Sequence, residues 1–353
     1  MRILTVVGAR PQFIKAGPLS AELRRTHTEI LVHTGQHYDQ GMSDVFFREL
    51  GIPAPDHHLG IGGGSHGEQT GAMLPALERL MIDERPDLVL VYGDTNSTLA
   101  GALAAAKLTI PVAHVEAGLR SFNRAMPEEI NRVVSDQLSS WLFPPSEVSR
   151  AQLASEGITD RVHVVGDIML DAILAHQARA AATSHVLRDL GFSGGGYYLC
   201  TVHRAENADD SHRLARILSA LDRLDLPVVV PLHPRTRKRL GEFALAPGGN
   251  IRLLDPVGYL DMLELERQSA CVLTDSGGVQ KEAYYLGVPC VTLRDETEWV
   301  ETVAAGWNVL AGTDPDRIVA AATALVGLQA PRPPVYGTGD TARRIAAVLA
   351  EVT

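Results

Sequence analysis

Cys271-Val-Leu-Thr-Asp-Ser-Gly-Gly-Val-Gln-Lys-Glu-Ala-Tyr-Tyr-Leu-Gly287 is an apolar strand that turns through Ser276, Gly277 and Gly278 into a helix ended by Gly287. Two successive glycines let a backbone approach a ligand closely. The orphan N–H groups and positive dipole end of the helix then point at whatever occupies the turn, and an anion is the natural occupant. Glu282, early in the same helix, is placed to reach a polyol beside that anion, and a carboxylate holding vicinal hydroxyls is a common grip on ribose. The segment reads either as the phosphate seat of a nucleotide site or as a plain strand–turn–helix connection whose glycines only tighten the turn.

Outward from this unit the same rhythm runs through the chain. Apolar runs at Ile3–Val7, Ile30–His33, Leu88–Tyr92, Val112–Val115, Leu142–Phe143 and Val162–Val165 alternate with helical stretches at Gln12–Arg25, Asp44–Leu50, Glu68–Met81 and Ser97–Lys107. That alternation marks β-α-β units around a parallel sheet. A second series begins at Tyr197–Thr201 and continues through Val228–Pro231, Ile251–Leu254, Val272–Thr274 and Cys290–Leu293. A chain of 353 residues is too long for one ordinary core and suits two domains of roughly 150 residues each. The junction is expected near residue 168, after Val165-Gly166-Asp167, where a strand gives way to an Ala- and Arg-rich helical connection. The last helix, about Asp340–Glu351, follows the Pro-rich segment Ala330-Pro-Arg-Pro-Pro334 and is expected to cross back onto the first domain.

Composition removes several classes of function. With 45% apolar and 21% charged residues and no low-complexity tract, the chain is a folded globular protein. A formal charge of −10 disfavours a general nucleic-acid binder. No apolar run approaches the length needed to span a bilayer, and the N-terminus, a strand running into Gly8, lacks a signal-peptide pattern, so a cytoplasmic protein without membrane contact is expected. Cys200, Cys271 and Cys290 lie in or beside apolar strands without a C-x-x-C pair and read as buried small hydrophobes.

Ligands of open α/β sheets bind outside the carboxyl ends of the strands, and the polar clusters of this chain sit there. Arg10 and Lys15 follow the first strand and are candidates for anion contact, against the solvated fate usual for such cations. Asp94 ends the third strand, where Thr95, Asn96 or Ser97 can cap the following helix and Asp94 is a further candidate for that role. Glu116 lies just past the fourth. Glu128 and Glu129 open a helix, one of them being read as decoration of its dipole. Three carboxylates near a phosphate site are unfavourable unless some are protonated, which is how an enzyme holds both an acid and a base near neutral pH. In the second half, His203-Arg204 and His233-Pro-Arg235 follow adjacent runs, and His203 and Arg204 are candidates to face a departing phosphate.

Taken in order, these segments are similar to the UDP-N-acetylglucosamine 2-epimerase family, nonhydrolysing branch, along essentially the whole chain. The motifs are Gly8-Ala9-Arg10-Pro11, Thr34-Gly35-Gln36-His37, Gly93-Asp94-Thr95, His114-Val115-Glu116-Ala117-Gly118-Leu119-Arg120, Pro127-Glu128-Glu129-Ile130-Asn131-Arg132, His203-Arg204-x-Glu206-Asn207 and Thr274-Asp275-Ser276-Gly277-Gly278. The resemblance implies an α/β fold of the GT-B type, two Rossmann-like doubly wound domains with the active site in the interdomain cleft. On this reading residues 1–168 carry the catalytic carboxylates, 169–335 bind UDP, and 336–353 form the returning helix. It further implies a UDP-sugar substrate, no nicotinamide or other cofactor, no metal, a homodimer, and a role in polysaccharide biosynthesis. The implied reaction is inversion at C2 through anti elimination of UDP to a 2-acetamidoglycal and return of UDP with a proton on the other face. Asp94, Glu116, Glu128 and His203 match the family's catalytic residues, as a set whose individual acid and base roles stay open. Arg10, Lys15, His203, Arg204, Ser276, Gly277, Gly278 and Glu282 match the residues that hold the UDP-sugar.

Departures bear on the substrate. Trp299 stands where well-known bacterial members carry a ligand-binding arginine, and Gln36–Met42 lacks the arginine near the family's activating second UDP-sugar site. Together with Gly60-Ile61-Gly62-Gly63-Gly64-Ser65-His66-Gly67, these features resemble the branch holding archaeal enzymes and the 2-epimerases of UDP-2,3-diacetamido-2,3-dideoxyglucuronic acid. UDP-N-acetylglucosamine is the first expected substrate and the diacetamido-uronate the second. A hydrolysing relative, a GT-B glycosyltransferase and a catalytically silent UDP-sugar sensor are the remaining readings. The last two fit less well with four candidate catalytic residues in place.

Overall fold

The computed structural model describes residues 1–36 and 50–351. The chain divides into two compact units, Met1–Ala175 with Pro334–Thr353, and His176–Pro333. The change of unit falls inside one helix, Ile168–Thr183.

In the first unit the strands β1 (Arg2–Val7), β2 (Thr28–His33), β3 (His57–His58), β4 (Leu88–Tyr92), β5 (Val112–Val115) and β6 (Trp141–Phe143) form one sheet in the order β3-β2-β1-β4-β5-β6. Every neighbouring pair is parallel. The strands are buried on both faces, which is why they read as continuous apolar runs instead of alternating ones. Leu4, Val6, Val32, Met73, Leu77, Val89 and Val91 share one core cluster. Each such side chain removed from water contributes about 1.5–3 kcal/mol before conformational entropy is set against it. The chain order reverses between β1 and β4, which makes a switch point at their carboxyl ends.

The helices begin where the sequence offers caps. α1 (Arg10–Leu23) starts with Pro11 in its first turn, α2 (His66–Glu84) has a Ser65/Glu68 capping box, and α3 (Asn96–Lys107) is capped by Thr95. α3 is rich in alanine and lies close on the sheet: a Cβ at Gly101 would stand 3.1 Å from Val91 Cγ1. Gly8, which ends β1, is tighter still, because a Cβ there would stand 2.1 Å from Ser97 Oγ and 2.2 Å from Thr34 Oγ1. Gly8→Ala must therefore push apart the start of α3 and the end of β2. We expect a loss of about 1–3 kcal/mol, read as a lower denaturation midpoint at unchanged m-value.

The second unit repeats the topology. Its strands β7 (Tyr198–Thr201), β8 (Val228–Pro231), β9 (Ile251–Leu254), β10 (Cys271–Thr274), β11 (Cys290–Thr292) and β12 (Asn308–Leu310) are all parallel, in the order β12-β11-β10-β7-β8-β9. Counted from β7 as its own first strand, this is the order of the first unit, with the switch point between β7 and β10. The three cysteines are free and buried, and burial pushes the Cys290 thiol up to about 12, so they serve as small apolar groups.

The C-terminal helix Thr341–Ala350 packs on α1 in the first unit. Its first amides, Thr341 N–H and Ala342 N–H, donate to the Asp171 carboxylate at 3.2 and 2.9 Å. Gly166 admits the crossing segment, since a Cβ there would stand 2.8 Å from Tyr336 O.

One expected strand is absent, two short strands are unexpected, and one expected helix lies outside the described residues. Val162–Val165 is not a strand: Val162 makes one isolated bridge with Leu142, and the N–H groups of His163 and Val165 reach Leu142 O and Pro144 O before the chain turns at Gly166. His57–His58 and Asn308–Leu310 are strands that sequence reading passed over, being too short to show a pattern. The expected helix at Asp44–Leu50 lies outside the described residues apart from Leu50, as does His37 of the Thr34–His37 motif. No helix among the described residues is long and apolar enough to cross a membrane.

Candidate active site

At the first switch point the amides of the turn after β1 are already occupied. Gln12 Oε1 accepts from Gly8 N–H at 2.8 Å and Ala9 N–H at 3.1 Å, while Gln12 Nε2 donates to Tyr92 O and Thr98 Oγ1 across the sheet. This helix start therefore offers its turn amides to a side chain and not to an anion. Arg10 opens α1, partly exposed, and Lys15 lies one turn further in.

Lys15 is buried, and its ammonium pairs with Glu116 Oε2. Glu116 follows β5 with φ of +71°, a left-handed backbone that costs a non-glycine residue on the order of 1–3 kcal/mol. The turn is held by Glu116 N–H and Ala117 N–H donating to Phe143 O at 3.0 and 3.3 Å. Asp94 follows β4 and does not cap the next helix, a task that falls to Thr95. Its carboxylate instead pairs with the buried Arg132 guanidinium, and its carbonyl accepts from Asn131 Nδ2 at 2.9 Å.

Arg132 and Asn131 lie on α4 (Pro127–Leu138), which also carries Glu128 and Glu129 in its first turn. These two carboxylates differ in kind. Glu129 is buried and accepts from Ser121 N–H, Ser121 Oγ and Phe122 N–H at 2.9–3.0 Å, so it holds the preceding loop in place. Glu128 is half-exposed and makes no hydrogen bond or ion pair with a described residue. Among the described residues the first unit thus presents Asp94 balanced by Arg132, Glu116 balanced by Lys15, and Glu128 without a counter-cation.

The second switch point is organised by Asp275, a residue that sequence reading quoted in a motif but gave no role. It ends β10 fully buried and accepts from His203 N–H at 3.1 Å, Arg204 N–H at 3.1 Å and Asn207 Nδ2 at 3.2 Å. His203 Nδ1 stands 3.2 Å from the same carboxylate, which fixes the tautomer and leaves Nε2 as the nitrogen for a ligand. Burial pushes the Asp275 carboxyl up, but the hydrogen bonds and charge of His203 and the Asn207 amide outweigh it and hold the group below the ordinary aspartate value.

Beyond Asp275, Ser276 caps the helix Gly277–Leu286 and spends its own N–H on Thr274 Oγ1 at 2.9 Å. Gly277 N–H and Gly278 N–H donate to no described residue. A Cβ at Gly278 would meet only Ser276 Oγ at 3.8 Å, whereas one at Gly277 would stand 2.4 Å from Glu298 Oε1. The two glycines therefore differ: Gly277 admits the buried Glu298, whereas a Cβ at Gly278 would make only an ordinary contact with Ser276 Oγ. Of the two switch points, this one keeps turn amides for an anion. Glu282 is buried on the same helix, and Lys281 Nζ beside it lies 4.3 Å from the centroid of the buried Trp299 ring. Arg204 donates from Nε to Asp275 O at 3.0 Å, and the His203 and His233 rings are 5.6 Å apart.

Comparison with known proteins gives this arrangement a family. The model described as UDP-N-acetylglucosamine 2-epimerase matches residues 21–350. A protein of Methanococcus maripaludis named UDP-N-acetylglucosamine 2-epimerase homolog is 53% identical over 324 residues, covering 90% of this chain and 91% of the relative. The UDP-2,3-diacetamido-2,3-dideoxy-D-glucuronate 2-epimerase of Pseudomonas aeruginosa is 50% identical over 361 residues, with both chains covered in full. The crystal structure of the Methanocaldococcus jannaschii UDP-GlcNAc 2-epimerase, in complex with UDP-GlcNAc and UDP, superposes with a TM-score of 0.94 at 43% identity over 99% of each chain. Two Rossmann-like parallel sheets of the GT-B class are thus shared with these structures, and the chain belongs to the UDP-N-acetylglucosamine 2-epimerase family.

Proposed function

We propose that the chain inverts C2 of UDP-N-acetylglucosamine, giving UDP-N-acetylmannosamine without releasing free sugar. The first unit acts on the sugar ring and the second holds the UDP. One carboxylate of the set Asp94, Glu116 and Glu128 takes the C2 proton as the anomeric C–O bond breaks, so that UDP leaves and a 2-acetamidoglycal forms. UDP then returns to C1 while a proton is delivered to the other face of C2. Atoms and electrons balance without an oxidant. The carbon acid is weak, so a positioned base is required, and the diphosphate needs donors where its charge develops.

The observation that carries this reading is the division of labour between the two switch points. The amides after β1 are bound by Gln12, whereas Gly277 N–H and Gly278 N–H remain for phosphate. Ser276 and Glu282 flank that turn on the side assigned to phosphate and ribose, and His203 and Arg204, both braced on Asp275, are assigned to the departing diphosphate. Arg10 is assigned to the substrate as well. Lys15 reaches it through Glu116, whose charge it balances. The full-length 50% identity to the P. aeruginosa enzyme favours a second substrate, UDP-2,3-diacetamido-2,3-dideoxy-D-glucuronate, for the same chemistry.

The test is to incubate the full chain with each UDP-sugar in D2O, with nothing else added, and follow the C2 and anomeric protons. The reading expects the C2 epimer, still linked to UDP and deuterated at C2. Free sugar plus UDP as the only products would assign hydrolysis instead, and turnover of the diacetamido-uronate alone would move the substrate to the second reading.

A further inference from the structure

The three carboxylates of the first unit come from separate turns, after β4, after β5 and on α4, yet one helix reaches all of them. α4 carries Glu128 itself. Asn131 and Arg132, on its second turn, hold the carbonyl and the carboxylate of Asp94. Asp136, one turn later and 1% exposed, accepts from Gly118 N–H at 3.1 Å, two residues past Glu116. The same carboxylate takes His114 Nδ1 at 2.7 Å, and His114 Nε2 donates to Gly93 O at 2.7 Å, the residue before Asp94. His114 is fully buried at the end of β5, and the Gly93 carbonyl can only accept, so Nε2 carries a proton. Arg120 Nη1, 2.7 Å from Asp136, balances the charge of the cluster.

We propose that His114 and Asp136 are positioning residues of the reaction: this buried pair fixes the Asp94 turn and the Glu116 turn in register with each other and with Glu128. The inference rests on the assignment of those three carboxylates to the chemistry. Both turns are tightly constrained where the pair grips them. Gly93 and Gly118 have φ of +60° and +78°, and a Cβ at Gly118 would stand 2.4 Å from Ser149 O. A displacement of about 1 Å in such a constellation costs on the order of 10²-fold in rate, so a side chain that touches no substrate can still govern turnover.

The test uses the full chain with the UDP-sugar it turns over. Asp136→Asn keeps the side-chain shape while removing charge and one acceptor. His114→Gln keeps one donor but cannot bridge to both partners. Each is expected to lower kcat by about 10- to 100-fold, as losses of such orienting partners do elsewhere, with KM changed less than about threefold and UDP affinity unchanged in a chain that still melts cooperatively. In a Glu116→Gln background the added loss should shrink to less than about threefold, because groups acting as one unit are not additive. A merely structural role would lower the melting temperature and leave kcat per folded molecule intact, or its losses would multiply in the double variant, and either result overturns the proposal. If Asp136→Asn does not fold, His114→Gln carries the same comparison. A Glu116→Gln chain with wild-type turnover would instead remove the site assignment itself, an outcome visible in the single variant before any double variant is made.

Discussion

Glu116→Gln is expected to lower kcat for C2 inversion by roughly two to four orders of magnitude, the usual worth of a positioned acid or base, while the chain stays folded and binds UDP as before. The geometry makes this the most sensitive of the three carboxylates. Glu116 occupies a left-handed backbone position where a non-glycine residue is strained, and its carboxylate pairs with an ammonium that is itself buried. Glutamine keeps the shape but leaves Lys15 charged, buried and without its anion, so the local field changes as well as the proton affinity. Asp94→Asn should act in the same direction, because it strips Arg132 of one partner while Glu129 retains the other. Steady-state kinetics with a UDP titration checks both, and wild-type kcat in either variant would remove that residue from the chemistry.

Asp275→Ala is expected to be the most destabilising single change at the second switch point, at about 3–5 kcal/mol, because it leaves a buried carboxylate's three donors, the buried Asn207 amide and two partly buried backbone N–H groups, without their acceptor at once. His203 N–H, Arg204 N–H and Asn207 Nδ2 all lose the acceptor that shapes the turn after β7. Urea unfolding measures the loss, and a change below about 1 kcal/mol would show the donors finding other partners. The same group predicts a pH dependence. Its folded-state pKa lies below the unfolded one, so its contribution is fully present above the ordinary aspartate value of about 3.9 and is lost as pH falls through the depressed value. The wild-type stability profile should therefore fall more steeply than that of Asp275→Ala under strongly acid conditions, and parallel profiles would contradict the assignment.

Local signals in the chain reach as far as the strand ends and stop there. β4, β5, β8 and β9 run over the residues that apolar runs indicate, and the Gly-Gly turn into Gly277–Leu286 is readable because a strand, a cap and a helix follow one another without interruption. What the sequence hides are partners distant along the chain. Lys15 reads as a candidate for anion contact after a strand, but its partner Glu116, 101 residues away, is brought to it only by the fold. Asp136 draws no reading from the sequence, since its partner His114 is delivered by β5, 22 residues upstream. Asp275 stands in a quoted motif without a readable role because its donors lie 68 to 72 residues upstream. Local pattern does not separate Glu128 from Glu129 at their helix start; the family resemblance singles out Glu128, and the loop at Ser121 and Phe122 binds Glu129 into the structure. The very short strands β3 and β12 carry no period to read, and their pairing is set by β2 and β11, which they extend.

The central claim is that the bond between C1 and the diphosphate oxygen breaks and re-forms on the enzyme. It is tested most directly with UDP-N-acetylglucosamine carrying 18O in the oxygen that bridges C1 and the β-phosphorus. If UDP departs and returns, rotation of its terminal phosphate moves the label into non-bridging β-phosphate positions in both the product and the recovered substrate, in step with deuterium entry at C2. If C2 inverts with the label still wholly in the bridge, elimination does not occur and the assignment of Gly277, Gly278, His203 and Arg204 to a departing diphosphate is wrong.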